Sequence, residues 1–205
     1  MIRVLIADDH SIVRDGLKRI LAATPDLVVA GEAAGGDEAL ALVKANDYDV
    51  VMLDMSMPGL SGIDLIKRLK LEKPRLRILV LSMHGESQYA ARALKAGAAG
   101  YLNKDSAAEA LLGALRKIAA GGLHIGDAAA ASLLHSSEKP AHETLSDREF
   151  GVMRLLVEGL GPTDIAERLH LSVKTVSTHK THILEKLGLK STAELVRYAM
   201  EHRLL

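Results

Sequence analysis

Cysteine and tryptophan are absent from the 205-residue chain, which also has only one phenylalanine and four tyrosines. The lack of cysteine excludes disulfide bonds, thiolate zinc sites and a cysteine nucleophile. With so few aromatic side chains, binding of single-stranded nucleic acid by base stacking is not expected. No apolar run is long enough to span a membrane, and Asp8 and Asp9 follow the first apolar run too closely for a signal peptide. We therefore expect a cytoplasmic protein with no membrane partner.

The chain also lacks an excess of charge of either sign, since 26 basic residues balance 26 acidic residues. No overall electrostatic field therefore points to a polyanionic partner. Hydrophobic residues make up 48% of the chain and charged residues 25%, which is an ordinary globular composition. The length predicts one or two domains, each large enough for a hydrophobic core.

The first 120 residues alternate short apolar runs with amphipathic helical stretches. Each run is apolar on both faces and is followed by a helical pattern, which is typical of a buried parallel sheet. Five such repeats predict an α/β domain with a flavodoxin-like, doubly wound (βα)5 sheet. The predicted strands are 4–7, 27–30, 50–53, 78–81 and 99–102, and the predicted helices are 11–23, 36–46, 60–71, 86–96 and 106–120.

The second half of the chain has a different pattern. A short amphipathic segment at 127–134 is followed by a polar, proline-containing stretch at 136–144, which is typical of a linker. Beyond it every pattern is helical and predicts four helices. Ser146 begins the first of them, with Glu149 at the capping-box spacing, and Pro162 lies in the first turn of the second. We predict a first domain at 1–120, a linker with a short helix at 121–143 and an all-α domain at 144–205.

Polar side chains follow the predicted strands at their carboxyl ends, where an open parallel sheet binds its ligands. These residues are Asp8, Asp9, Asp54, Ser82 and Lys104. Crowded carboxylates repel one another unless a cation lies among them, and oxygen ligands suit Mg²⁺. A lysine can neutralise a phosphoryl oxygen, and a carboxylate can act as a nucleophile that forms an aspartyl phosphate. The alternative is that these acids only cap helices or are solvated.

Asp54 is the best candidate for the nucleophile. The turn Met57-Pro58-Gly59 shortens the loop that follows it and leaves its side chain at the mouth of the strand. His10 and His84 fall near the same edge, where a histidine could be a ligand or a phosphoryl carrier. We favour the simpler interpretation that both are polar loop residues.

Residues 1–120 resemble the receiver domain of two-component response regulators. The resemblance lies in Asp8-Asp9, Val51-Met-Leu-Asp54-Met-Ser-Met-Pro58-Gly59, Leu81-Ser82 and Tyr101-Leu-Asn-Lys104. It implies that Asp54 accepts phosphate from a sensor histidine kinase. It also implies that Mg²⁺ is bound by Asp9, Asp54 and the backbone carbonyl of Ser56, with Asp8 bound directly or through water.

The same resemblance assigns roles to the remaining edge residues. Lys104 resembles the lysine that binds a phosphoryl oxygen, and Ser82 and Tyr101 resemble the switch pair that responds to phosphorylation. Tyr101 could instead be a packing residue, because tyrosine is often half-buried at a surface.

The third predicted helix of the second domain has one apolar face and one polar face. At 100° per residue, the apolar face contains Val176, Ile183 and Leu187. On or beside the polar face lie Lys174, Ser177, Thr178, Lys180 and Thr181. Residues 168–190 carry five basic side chains against one acidic side chain. A locally basic helix on a neutral protein indicates phosphate contact. A short turn joins it to the preceding helix, which favours a helix-turn-helix motif; a helical packing module is the alternative.

Residues 144–205 resemble the LuxR-type DNA-binding domain, and the two domains together resemble the NarL/FixJ subfamily of bacterial response regulators. The resemblance lies in the sequence motifs Leu145-Ser-Asp-Arg-Glu149, Gly159, Asp164-Ile-Ala-Glu-Arg-Leu169, Leu171-Ser-Val-Lys-Thr-Val176, His179 and Leu184-Glu-Lys-Leu-Gly188. It implies base contacts by Ser177, Thr178 and Thr181, phosphate contacts by Lys174 and Lys180, and dimerisation through the last helix.

The chain departs from the family pattern in two respects. Some members carry lysine where this chain has Ser177 and Thr181, and hydroxyls specify bases less strictly than lysine does, so the operator sequence stays open. Gly161-Pro162 stands where a polar cap residue is common; it changes the start of the helix and not its groove face.

We therefore hypothesise a phosphorylation-controlled transcription factor that catalyses only its own phosphorylation and dephosphorylation. Phosphate on Asp54 would release or dimerise the helix-turn-helix domain for promoter binding as a homodimer. One alternative is an aspartyl-phosphate hydrolase or phosphotransferase, which commonly needs a second acid two residues after the nucleophile, where this chain has Ser56. The other alternative is a DNA-binding protein whose first domain is a passive dimerisation module.

Overall fold

A computed structural model describes residues 1–57, 60, 62–82, 87–125, 141–202 and 204. The chain divides into two compact units, Met1–Ala130 and Ala131–Leu205. Within the described residues, no helix is both long and apolar enough to cross a membrane.

The first unit alternates strands and helices, as predicted. Its elements are β1 (Ile2–Ala7), α1 (Ser11–Ala22), β2 (Leu27–Ala33), α2 (Gly36–Ala45), β3 (Val50–Asp54), α3 (Gly62–Glu72), β4 (Arg77–Ser82), α4 (Ser87–Lys95), β5 (Gly100–Asn103) and α5 (Ala108–Ala119). The strands form one parallel sheet in the order β2-β1-β3-β4-β5. This is the order of flavodoxin-like sheets, so the predicted fold class is confirmed.

The apolar runs predicted as strands are buried in the centre of the sheet. Leu5, Ile6, Met52 and Leu79 have no measurable exposure, and Leu115 of α5 packs into the core on one side of the sheet. The chain leaves β1 in one direction to form β2 and then crosses back to form β3. A crevice opens at this reversal, at the carboxyl ends of β1 and β3.

β2 is longer than its predicted span of 27–30 and ends at Ala33. The pairing shifts register between Val4 and Leu5 of β1, so that Leu5 lies opposite Gly31 of β2. A bulge of this kind lets a strand continue past an extra residue. Because β2 is at the edge of the sheet and most of its residues are half-buried, the apolar run alone underestimated its length.

The described part of the second unit is helical. It contains a short 3₁₀ turn (Ala141–Thr144), α6 (Asp147–Val157), α7 (Pro162–Leu169), α8 (Val173–Leu187) and α9 (Thr192–Glu201). The predicted capping box at the start of α6 is present, since Ser146 Oγ accepts a hydrogen bond from the Glu149 amide at 3.3 Å and Glu149 Oε2 accepts one from the Ser146 amide at 2.7 Å. Gly188 ends α8 with a φ of 67°, a left-handed conformation that favours glycine.

Most of the predicted linker, including the short helix at 127–134, lies outside the described residues. Its far end is folded. His142, in the 3₁₀ turn, is fully buried, and its Nδ1 lies 3.0 Å from the hydroxyl of Tyr198 in α9. The last residues before α6 are therefore packed against the helical unit.

Candidate functional site

The carboxyl ends of β1 and β3 bring a set of acidic side chains together. Asp8 follows β1 directly and Asp54 is the last residue of β3, and their exposed fractions are 1% and 2%. Asp8, Asp9, His10 and Asp54 each offer one ligand atom, and all four atoms lie within 4.8 Å of one another. The sheet therefore converts separate strand ends into one compact polar cluster.

Lys104 lies in the same cluster. Its Nζ donates a hydrogen bond of 2.6 Å to Asp8 Oδ2 and lies 3.1 Å from Asp54 Oδ2. The Lys104 amide donates to the Ser82 carbonyl at 2.8 Å, which holds the residue after β5 against the end of β4. The lysine is thus fixed at both its backbone and its ammonium group.

Burial and charge act against each other in this cluster. Burial raises the pKa of Asp54, Lys104 opposes that shift and the Asp8 carboxylate adds to it. Burial lowers the pKa of Lys104, but its contacts with Asp8 and Asp54 outweigh burial, and the net pKa is raised. Three carboxyl groups, those of Asp8, Asp9 and Asp54, face the one ammonium group of Lys104, and this excess of acidic groups favours a further cation.

The donor set fits a hard divalent cation. Within the described residues, Asp9 Oδ1 and Asp54 Oδ2 are buried without a hydrogen-bond partner, although each lies near a positive or protonatable nitrogen. A buried carboxylate oxygen without a hydrogen bond is costly. Carboxylate ligands of this kind, supplemented by water, are what Mg²⁺ prefers.

Two side chains that strand-end reasoning did not assign to the site also touch it. His10 Nδ1 lies 3.2 Å from Asp8 Oδ1 and 2.9 Å from Asp9 Oδ1. Arg14 of α1 donates a 2.7 Å hydrogen bond to the Asp8 carbonyl. His10 was visible in the sequence as a neighbour of the acids, whereas nothing in the sequence marks Arg14.

The other predicted residues lie near this edge in the order of the strands. Ser82 ends β4 and is buried, and Tyr101 is half-buried in β5, where it pairs with Val80. The Ser56 amide donates to Asp54 Oδ1 at 3.2 Å. His84 and the Pro58-Gly59 part of the predicted turn lie outside the described residues.

In the second unit, α7 and α8 are joined by a tight turn. His170 ends α7 in a left-handed conformation with a φ of 50°, and Ser172 caps α8 by accepting a hydrogen bond from the Thr175 amide at 3.0 Å. The Asp164 carboxylate accepts a hydrogen bond from the Gly161 amide at 3.2 Å. This contact satisfies the amide of Gly161, which has no side chain to accept hydrogen bonds from the first turn of α7.

The two faces of α8 are as predicted, with one exception. Val176 and Ile183 are fully buried, but Leu187 is only half-buried because it is the last residue of the helix. Four of the five predicted DNA contacts are exposed and Lys180 is half-buried; the exposed ones are Lys174, Ser177, Thr178 and Thr181. The polar face of α8 is therefore available to a ligand.

A contact that the sequence did not predict joins α8 to α6. Lys186 Nζ lies 2.6 and 2.9 Å from the two carboxylate oxygens of Glu149. Burial opposes ionisation of Glu149, but hydrogen bonds from Lys186 and Ser146 outweigh it and lower its pKa to about 2. Lys186, one of the five basic residues at 168–190, is thus engaged within the unit.

The fold and the site together define a class of protein. In this class, a parallel sheet that carries an acidic cluster and a lysine at one edge is followed by a helix-turn-helix domain. The families that match the chain agree with this class. The family described as "Response regulator receiver domain" matches residues 4–116, and the family described as "Bacterial regulatory proteins, luxR family" matches residues 143–199.

Individual proteins resemble the chain over its whole length. Oxygen regulatory protein NreC of Staphylococcus epidermidis is 40% identical, covering 99% of each chain. Response regulator UvrY of Escherichia coli is 34% identical, covering 100% of this chain and 96% of UvrY. RcsB of Salmonella enterica serovar Typhimurium, bound to promoter rprA in the presence of the phosphomimetic BeF3⁻, matches with a TM-score of 0.72 and 31% identity over 97% of this chain and 98% of RcsB. The chain belongs to the two-component response regulators of the NarL/FixJ subfamily, transcriptional regulators that join a receiver to a LuxR-type DNA-binding domain.

Proposed function

We propose that Asp54 accepts a phosphoryl group from a sensor histidine kinase and that this phosphorylation controls promoter binding by α8. The observation that carries the proposal is the convergence of Asp54 with Asp8, Asp9 and Lys104 at one end of the sheet. An aspartyl phosphate needs a positioned carboxylate together with positive charge for the transferred oxygens.

In the proposed reaction, a carboxylate oxygen of Asp54 forms a bond to phosphorus while the bond between phosphorus and the donor breaks. The leaving group is the kinase's histidine imidazole, or acetate when acetyl phosphate is the donor. Asp8, Asp9, Asp54 and the Ser56 carbonyl would hold Mg²⁺, which when bound would neutralise charge on the phosphoryl oxygens. Ser56 also holds Asp54 through its amide, which donates to Oδ1.

Lys104 changes partner in this proposal. Its ammonium group lies 3.1 Å from Asp54 Oδ2, so a phosphoryl group on Asp54 places a new oxygen within its reach. Ser82 donates its hydroxyl to a second phosphoryl oxygen, and Tyr101 on the adjacent strand changes position with it. The face formed by β4 and β5 then shifts its population towards an active conformation.

The proposed output is recognition of double-stranded promoter DNA by a homodimer. α8 enters the major groove, where Ser177, Thr178 and Thr181 contact base edges and Lys174 and Lys180 contact phosphates. The structure of RcsB bound to promoter rprA in the presence of the phosphomimetic BeF3⁻ supports the same coupling in this chain.

The chemistry of the chain is proposed to stop at its own phosphorylation and dephosphorylation. Ser56 stands two residues after Asp54, where a phosphohydrolase needs a carboxylic acid to protonate a leaving group. A serine hydroxyl cannot act as that acid near neutral pH. This position therefore supports a regulator rather than a turnover enzyme.

The experiment is phosphorylation of the full-length chain by acetyl phosphate with Mg²⁺, read by intact mass. We expect the wild-type chain to gain the mass of one phosphoryl group and the Asp54→Asn chain to gain none. Asp15→Asn is the matched control, because Asp15 is an exposed acid in α1 whose carboxylate pairs with Lys18. Equal labelling of the Asp54→Asn and wild-type chains would overturn the assignment.

A further inference from the structure

The exposed hydroxyl groups of α8 already donate their hydrogens within the helix. Ser177 Oγ lies 2.9 Å from the Val173 carbonyl oxygen. Thr178 Oγ1 lies 3.0 Å from the Lys174 carbonyl oxygen, and Thr181 Oγ1 lies 3.1 Å from the Ser177 carbonyl oxygen. A carbonyl oxygen can only accept, so each hydroxyl is the donor in its pair.

This arrangement fixes what the three hydroxyls can offer to DNA. A hydroxyl has one hydrogen to donate and two lone pairs that accept. With the hydrogen committed to the helix, each oxygen presents only acceptor capacity to a partner. Thr178 and Thr181 each add a methyl group, and both residues are exposed.

The three residues lie on one side of the helix. At 100° per residue, Ser177, Thr178 and Thr181 fall within an arc of about 100°. Val173, an apolar residue at the start of α8 that is 45% exposed, falls about 40° outside this arc, on the side of Ser177. The three hydroxyls therefore offer hydrogen-bond acceptors beside apolar groups and direct no hydroxyl hydrogen outwards. Lys174, which is exposed within the same arc, is the cationic donor of this surface.

In the major groove, the only hydrogen-bond donors on base edges are the N6 amino group of adenine and the N4 amino group of cytosine, and the only methyl group is that of thymine. Guanine presents two acceptors, N7 and O6. An A·T pair supplies both a donor and a methyl group, which matches the acceptor and methyl groups of threonine.

We propose that Ser177, Thr178 and Thr181 read A·T pairs, by accepting hydrogen bonds from adenine N6 and by packing against thymine methyl groups, and that they do not donate to purine N7 or O6. This inference rests on the proposed function, in which α8 enters the major groove. It adds the chemical class of base that the hydroxyl face selects.

The energetic reason is the difference between adding and exchanging a hydrogen bond. Accepting from an amino group adds a bond while each hydroxyl keeps its bond to the helix carbonyl. Donating to a purine acceptor requires that the carbonyl bond be broken first, so one neutral hydrogen bond replaces another with little net gain. The hydroxyl face therefore discriminates in favour of donor-bearing bases.

The test uses the full-length phosphorylated chain and duplexes selected from a random-sequence pool, resynthesised with single base analogues in the half-site. Replacing a contacted adenine by purine, which lacks the N6 amino group, is expected to weaken binding about fivefold, the effect of one neutral hydrogen bond. Replacing a contacted thymine by uracil removes a methyl group and is expected to weaken binding about fourfold. Replacing adenine by 7-deazaadenine removes only the N7 acceptor and is expected to change affinity by less than about twofold.

Two variants assign these effects to one side chain. Thr178→Val keeps a methyl group and removes the oxygen, so sensitivity to loss of the adenine amino group should disappear while sensitivity to uracil persists. Thr178→Ser keeps the oxygen and removes the methyl group, so sensitivity to loss of the adenine amino group should persist while sensitivity to uracil disappears. Thr24→Val is the matched control, because the Thr24 hydroxyl makes the same kind of bond, to the Leu21 carbonyl at 2.9 Å, in the other unit.

The outcomes separate this inference from the proposed function. Selective binding in which 7-deazaadenine is as costly as purine would overturn the inference and leave the proposed function standing. Selected half-sites without A·T pairs opposite α8 would do the same. Failure of the pool to yield any preferred duplex would overturn the proposed function, and the inference with it.

Discussion

The ammonium nitrogen of Lys104 lies 3.1 Å from Oδ2 of Asp54, and both side chains are almost fully buried. This contact holds the charge of the lysine against the carboxylate that we propose as the phosphoryl acceptor. A buried ion pair of this kind is weak evidence for stability by itself. Its value lies in placing a positive charge where a phosphoryl oxygen would arrive.

Removal of the Lys104 charge tests this relationship. In Lys104→Met, Asp8 and Asp54 would remain buried without their cation, and we expect the metal-free chain to lose about 3 kcal/mol of unfolding free energy. The same change should tighten Mg²⁺ binding, because the lysine no longer competes for the carboxylates. Denaturant unfolding in EDTA and calorimetric titration with Mg²⁺ measure the two effects.

Lys18→Met is the control for the lysine substitution. Lys18 also contacts two acids, Asp15 and Glu32, but at the surface, where ion pairs contribute little. We expect no change in its Mg²⁺ affinity. A Lys104→Met chain that bound Mg²⁺ no more tightly than wild type would show that the lysine does not compete with the ion.

A second prediction concerns close packing between Gly36, at the start of α2, and the backbone of Leu60. A Cβ added at Gly36 would lie 1.5 Å from the carbonyl oxygen of Leu60, which is backbone and cannot rotate away. We expect Gly36→Ala to destabilise the first unit by about 3 kcal/mol, the upper range for overpacking. Gly16→Ala in α1 meets nothing within 4 Å and should be neutral or stabilising by up to about 1 kcal/mol. Equal unfolding midpoints for the two variants would contradict this packing.

A third prediction follows from the lowered pKa of Glu149. Because its folded pKa of about 2 lies below the ordinary 4.5, its stabilisation is complete above pH 4.5 and is lost as the pH falls towards 2. We expect Glu149→Gln to cost about 2 kcal/mol at pH 7, a value reduced for the partial exposure of Lys186. Amide hydrogen exchange in α6 and α8 of the full chain measures this loss.

Repeating the comparison of Glu149→Gln with wild type at several pH values tests whether the ionised contact causes the loss of stability. The difference between Glu149→Gln and wild type should shrink as the pH falls from 4.5 to 2, because both chains then carry an uncharged group. Glu185→Gln, at an exposed position of α8, should change exchange by less than about 0.5 kcal/mol. A difference between wild type and Glu149→Gln that did not depend on pH would exclude the ionised contact as its cause.

A fourth prediction tests whether the end of the linker is part of the helical unit. The Tyr198 hydroxyl lies 3.0 Å from His142 Nδ1, so Tyr198→Phe removes one hydrogen bond and keeps the ring. We expect a loss of about 1 kcal/mol, seen as faster amide exchange at 141–144. Unchanged exchange in this segment would show that the hydroxyl does not hold it.

The convergence of Asp8, Asp54 and Lys104 was predictable from the sequence because it follows from topology. The carboxyl ends of parallel strands lie at one edge of the sheet, so the residues that follow the strands come together irrespective of the conformation of the loops. The contact from Lys186 to Glu149 was not predictable, because it spans 37 positions and depends on how α6 and α8 pack. The capping-box spacing located Glu149 without revealing its second partner.

The same limit applies to shorter features. Arg14 reaches the Asp8 carbonyl from α1, and no periodicity in the sequence distinguishes it from the other basic residues. The register shift opposite Leu5 lengthened β2 beyond its apolar run, because backbone pairing rather than side-chain pattern sets where an edge strand stops.

The most direct measurement is the affinity of the full chain for a selected duplex, at one salt concentration, with and without phosphorylation. Phosphorylation should tighten binding of the wild-type chain by about tenfold or more, the usual scale of coupling between sites, and should leave the Asp54→Asn chain unchanged. Equal affinity of the phosphorylated and unphosphorylated wild-type chains would contradict control of α8 by Asp54.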